Sequence, residues 1–213
     1  MKLGYIPAAA LIIGAAASAQ ADSIRLDTST YSSGIGGEFR ATQISGYAGQ
    51  LGGSTSLSAG SFQTFCLEHG ENFRPGDIYN LTLNTAAVFG GTGGGSDPLD
   101  DRTAYLYTMF RAGTLAGYDY GAGRQASAGQ LQDAIWFLEA EAGGVNNGFV
   151  ALANAAVSFG GDWYGRGLGN VRVLNLSNEE FLHAQDQLTM IPLPLAASMG
   201  LAGIPGLALR RRR

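Results

Sequence analysis

Phe65-Cys66-Leu67 holds the one cysteine of the 213-residue chain. A lone thiol has no intramolecular disulfide partner, so outside the cytoplasm it is reactive, buried or engaged by another group. His69 lies three residues on, and the second histidine, His183, is far along the chain. A nucleophilic thiol needs a depressed pKa or a neighbouring base. On a strand, residues 66 and 69 point to opposite faces, so contact between them requires a bend near His69. The Gly-Ser/Ala-Cys-Trp/Tyr frame of papain-like enzymes is absent. One cysteine with one nearby histidine also falls short of the three or four clustered ligands that zinc takes. Glu68, Glu71, Asp77, Asp97, Asp100 and Asp101 contain the makings of a glycosidase carboxylate pair, but their spacing singles out no two. Asp97, Asp100 and Asp101 lack the EF-hand pattern and read as the solvated start of a helix. Gly90 to Ser96 lacks the Lys-Ser/Thr of a phosphate cradle, which excludes nucleotide binding. On its residue types alone, Cys66 is read as a core cysteine on a strand. No catalytic residue, metal, cofactor or enzyme activity is expected, and a secreted hydrolase is the least favoured class.

Further along comes Leu131-Gln132-Asp133-Ala134-Ile135-Trp136, a glutamine opening an apolar helix face. An aromatic-Cys-aliphatic strand followed by an apolar-Gln-x-Ala-Ile-Trp helix resembles the internal thioester domains of bacterial surface adhesins. In that family the thiolate attacks the glutamine carboxamide, ammonia leaves, and a strained thioester remains for nucleophiles on a target surface. The resemblance implies Cys66 and Gln132 as the thioester pair, with Phe65, Leu67, Trp136 and His69 in support. It covers roughly residues 60 to 140, and Leu131 stands where many members carry Thr. It also implies a β-rich part and a helical part with the reactive pair where the two meet.

The elements that must position this pair are legible in outline. Residues 22 to 64 read as β structure, with Ser23 to Tyr31 and Glu38 to Ser45 as strands and Gly34, Gly36, Gly37, Gly52 and Gly53 at turns or hairpin ends. Ser61 to Glu68 alternates Phe62, Thr64, Cys66 and Glu68 against Gln63, Phe65 and Leu67. Arg74-Pro75-Gly76-Asp77 is a turn leading into a strand from Asp77 to Asn84. Asp97-Pro98 reads as an N-cap with Pro at the first helical position, and Tyr105, Leu106, Met109 and Phe110 form the apolar stripe that follows. A second helix is predicted from Ala126 to Ala142, stopped by Gly143-Gly144, with Leu131, Ala134, Ile135 and Leu138 inward. A third covers Gly148 to Ser158. Asn170 to Leu176 and Gln185 to Met190 read as strands, with Ser177 and Glu180 as a capping box between them. The fold class is α+β: a β sandwich or barrel with a helical insertion at about 97–159.

Both ends carry targeting signals. Lys2, the apolar run Ile6 to Ala17 and Ala19-Gln20-Ala21 make 1–21 a secretory signal peptide. At the other end, 191–213, the order Pro192-x-Pro194, an apolar segment to Leu209, then Arg210, Arg211, Arg212 and Arg213 resembles the PEP-CTERM sorting signals of Gram-negative bacteria. Ile191-Pro192-Leu193-Pro194 stands in place of the usual Val-Pro-Glu-Pro, closer to the Val-Pro-Leu-Pro variant. The resemblance implies an exosortase-like sorting enzyme as partner. Residues 191–209 would pass through the inner membrane transiently as a transmembrane helix, and a plain C-terminal anchor is the alternative. The exported domain is then 22–190, placed at the cell surface or outside the cell. It keeps eight arginines against seventeen acidic residues and no lysine. That negative balance excludes a nucleic-acid partner. Two functions fit: an adhesin whose thioester takes surface polysaccharide or amine-bearing targets, or a non-catalytic structural or polysaccharide-associated surface protein with a buried free Cys66. Intact mass of the protein from a sorting-competent host is expected to show both ends removed. Retention of Arg210 to Arg213 on a stable membrane-spanning form reduces the tail to an anchor.

Overall fold

The computed structural model describes residues 22–46, 51–52, 60–91 and 95–191. The expected signal peptide and the expected sorting segment, with Pro192, Pro194 and Arg210 to Arg213, lie outside these. Strands β1 (Ser23–Ser33), β2 (Gly36–Ser45), β3 (Ser61–Thr64) and β4 (Ile78–Asn84) precede a two-stranded ribbon of β5 (Ala86–Ala87) and β6 (Asp97–Pro98). Helices α1 (Asp101–Arg111), α2 (Arg124–Leu138) and α3 (Gly148–Val157) follow, then β7 (Val171–Ser177) and β8 (Ala184–Met190). The fold is α+β. Among the described residues no helix is long and apolar enough to cross a membrane.

The main sheet is antiparallel and six-stranded, in the order β3-β2-β1-β4-β7-β8. Its two edge strands come back together. After Thr64 the chain leaves β2 and crosses to β8, where Cys66 forms an isolated antiparallel bridge with Gln187. Leu67 N donates to Asp186 O at 3.0 Å and Leu188 N to Phe65 O at 3.1 Å. The sheet is therefore one curled surface with a short seam, and the expected sandwich or closed barrel is replaced by that open form. The expected strand from Ser61 to Glu68 breaks at this seam, because its second half has changed partner.

Alternation fills two separate cores. Ile24, Leu26, Ala41, Phe62, Tyr79, Leu81, Leu174 and Leu176 point inside the curl. Phe65, Leu67, Val171, Val173 and Leu188 point outward, where the three helices cover them. β7 is thus buried on both faces, as its mixed Val/Leu run requires. Each fully buried large aliphatic contributes about 1.5–3 kcal/mol relative to exposure.

Local chemistry explains where several expected boundaries moved. Asp97-Pro98 does not cap α1 but pairs with Ala86-Ala87, which lets Leu99 enter the helical core before the helix starts. Asp100 is the cap, accepting from Arg102 N at 2.8 Å. α2 ends before Ala142, since Ala140 takes a left-handed φ of 57° and Glu141 N turns back to Trp136 O. Ser177 and Glu180 start no helix; Asn178 Oδ1 instead accepts from Glu180 N and Phe181 N, closing a side-chain turn.

α2 lies against β1 and β2, and one buried pair fixes its start. Arg124 donates through Nε and Nη2 to the two oxygens of Glu38 at 2.7 and 2.8 Å, and Tyr118 Oη donates to the same carboxylate. Glu38 is fully buried in β2. Arg124→Ala strands that charge, so urea unfolding is expected to show a loss of about 3–5 kcal/mol. A loss within the scatter of surface substitutions removes the pair from the account of how α2 is held.

Candidate functional site

Cys66 occupies the seam, and α2 carries Gln132 to it. The two residues are 0% and 1% exposed. Cys66 Sγ donates to Gln132 Oε1 at 3.1 Å, and Cys66 N donates to the same oxygen at 3.3 Å. Gln132 Nε2 returns a bond to Cys66 O at 2.8 Å. One carboxamide thus reads three atoms of a single residue 66 positions earlier in the chain. The alternation argument correctly separates Cys66 from Phe65 and Leu67. Those two enter the helical core, Phe65 edge-on to Phe110 at 5.0 Å.

Around the sulfur sit Phe39 from β2 and Trp136 from α2, with Phe73 packed against them. Phe39 and Phe73 meet edge to face at 5.0 Å. The Trp136 indole Nε1–H is buried without a hydrogen-bond partner among the described residues, which leaves an unused donor beside the pair. His69 does bend toward the site, but onto Trp136, ring centroids 4.8 Å apart. The His69 backbone N–H donates to Glu141 Oε2 at 3.1 Å. His183 rests edge-on to Phe89 at 4.9 Å.

The surroundings hold the thiol neutral. Burial pushes the Cys66 pKa well above the ordinary thiol range, and the negative charges of Glu68 and Glu141 push it the same way. Glu68 itself is pushed up to about 8, by burial first and then by the adjacent Asp186. Asp186 is pushed up to about 6, again by burial. These carboxyl groups serve backbone donors: Glu68 accepts from Phe89 N and Asp186 N, while Asp186 accepts from Val88 N and Leu176 N. They pin the segment after Cys66 to β8 and to the 86–89 turn. No group of three or more His, Cys, Asp or Glu side chains able to hold a metal occurs among the described residues.

Two glycines, Gly36 at the expected hairpin end and Gly129 on the helix, let the hairpin reach α2. A β-carbon at Gly36 would lie 2.5 Å from Gln132 Cγ and 2.9 Å from Trp136 Cη2. On the helix, a β-carbon at Gly129 would lie 2.8 Å from Ser33 Oγ. The β1–β2 hairpin therefore presses directly on the stem of Gln132. Phe39, Phe73 and Gly36 had no motif to mark them; only the Gly36-Gly37 doublet gave a signal, and it was ambiguous with a turn.

Gly36→Ala is expected to cost about 1–3 kcal/mol by overpacking and to displace the Gln132 carboxamide. Thermal unfolding and the reactivity of the Cys66 thiol toward a maleimide report the two effects. Unchanged stability together with an unchanged thiol contradicts the close packing. Comparison with family models, with curated proteins and with solved structures finds no match to this chain, so the site is read from its own residues.

Proposed function

We propose that the chain is an exported cell-surface or extracellular-matrix adhesin in which Cys66 and Gln132 condense to an internal thioester for covalent attachment to target nucleophiles. The observation that carries this reading is the 3.1 Å contact between Sγ and Oε1 inside a site closed to water. In the condensation the sulfur attacks Gln132 Cδ, a C–S bond forms and the C–N bond breaks. The thiol proton leaves with the carboxamide nitrogen as ammonia. A free thiolate is disfavoured in so dry a place, but the S–H is already aimed at the carbonyl oxygen, so the proton can pass to the carboxamide as the sulfur closes on carbon. Cys66 N–H donates to that same oxygen and stabilises the charge that gathers there. Exclusion of water then protects the product from hydrolysis.

The absence of lysine from residues 22–190 supports the same reading, since no side-chain amine of the chain can quench the electrophile. Amine-bearing surface molecules, or surface polysaccharide, are the targets. The signal peptide and the Pro192/Pro194-to-Arg213 tail would deliver the domain outside the cell through an exosortase-like enzyme. A second reading has its own observation: the carboxamide also bonds both main-chain groups of Cys66, as a purely structural glutamine would. In that case the protein is a non-catalytic surface component with a buried free thiol.

Mass decides between them. Condensation lowers the intact mass by about 17 Da, the ammonia lost when the thiol acylates itself. Methylamine is expected to add to Gln132 and release one titratable thiol, while Cys66→Ala and Gln132→Ala do neither. Full mass with a thiol that titrates only after unfolding establishes the structural reading instead.

A further inference from the structure

A cavity of about 210 Å³ opens beside the reactive pair, between the tip of the β1–β2 hairpin and the segment that follows Cys66. Ser32, Ile35 and Phe39 line one side, and His69, Glu71 and Phe73 the other. Neither Cys66 nor Gln132 forms part of its wall. Phe39 and Phe73 do, and both pack in the small cluster that holds Cys66 and Trp136. The barrier between solvent and sulfur on this side is therefore aromatic.

We propose that this cavity is the access channel for the attacking nucleophile and that the Phe73 ring is its gate, a reading that rests on the thioester assignment. The choice of Phe73 over its neighbours follows from how each ring is enclosed. Phe39 and Trp136 are 5% and 4% exposed and packed on every side, so neither ring has room to swing outward. Phe73 sits in the irregular connection between β3 and β4 and is only partly buried. The backbone beside it is tied down, since Gln185 N donates to Asn72 O and Arg74 N to Tyr79 Oη. With the chain pinned at both neighbours, the motion left is rotation of the side chain, which is fast for a partly exposed residue. When the ring swings out, an amine can approach Gln132 Cδ. Its nitrogen then bonds to that carbon, the C–S bond breaks, and one amine proton restores the Cys66 thiol.

A gate whose open form is a minor state of about 0.1–10% slows attack in proportion. Phe73→Ala is therefore expected to speed methylamine addition by roughly ten- to a thousandfold and to admit benzylamine, which the parent protein takes poorly. Phe73→Trp is expected to slow methylamine, with the mass loss of condensation still present in both variants. The same pair made in a Gln132→Ala background reads access without any thioester: iodoacetamide should alkylate Cys66 faster with Ala at 73 and slower with Trp. Phe73→Leu serves if the Ala variant is unfolded by circular dichroism. Rates that ignore residue 73 in both backgrounds overturn the gate even where the thioester forms. A parent protein of full mass overturns the thioester. If alkylation nevertheless follows residue 73, the cavity is the route to the thiol but not to an acyl centre, and the channel as proposed falls with the thioester.

Discussion

A primary carboxamide carried into a dry interior must find partners for its oxygen and its nitrogen, or the fold loses a few kcal/mol for each group left bare. Gln132 meets this demand on one residue, taking the N–H and S–H of Cys66 on its oxygen and giving its own N–H to the Cys66 carbonyl. The geometry of the rest follows from that. α2 has to lie at one height and one rotation against the seam, which the Arg124–Glu38 pair sets at the helix start. The hairpin has to close over the glutamine without touching it harder than a glycine allows. The seam itself has to exist, because only a chain that has left β2 for β8 presents its N–H and C=O to a helix.

The carboxylates around the seam serve the same end by an unusual route. Glu68, Asp186 and Glu141 hold backbone N–H groups on the strands and turns flanking Cys66, with no lysine in residues 22–190 to balance them. Burial first, and then Glu68 and Glu141, push the Cys66 thiol upward and keep it protonated. A neutral thiol resists oxidation and stray alkylation. It stays hydrogen-bonded to the Gln132 carboxamide, the group it attacks in the proposed condensation.

Sequence pattern reached the pair but not its enclosure. The alternation around Cys66 and the helical phase of Gln132 and Trp136 were legible, because they depend on periods of two and of 3.6 residues within single elements. The three helices, β4, β7 and β8 were legible for the same reason. The switch of partner at Phe65 was not, since strand propensity says nothing about which neighbour a strand chooses. Asp97-Pro98 misled because a good local cap was overridden by the need to bury Leu99. Phe39 and Phe73 were invisible as site residues: an aromatic in a strand or loop looks the same whether it walls a thiol or fills a core.

The central claim is that sulfur and carboxamide become one group. A high-resolution crystal structure of the protein, purified without amines or reducing agent, addresses it directly. The account requires continuous electron density from Cys66 Sγ to Gln132 Cδ and none for Nε2. Separate atoms at contact distance, with the intact carboxamide still donating to Cys66 O, would contradict it and leave a buried thiol clamped by a structural glutamine.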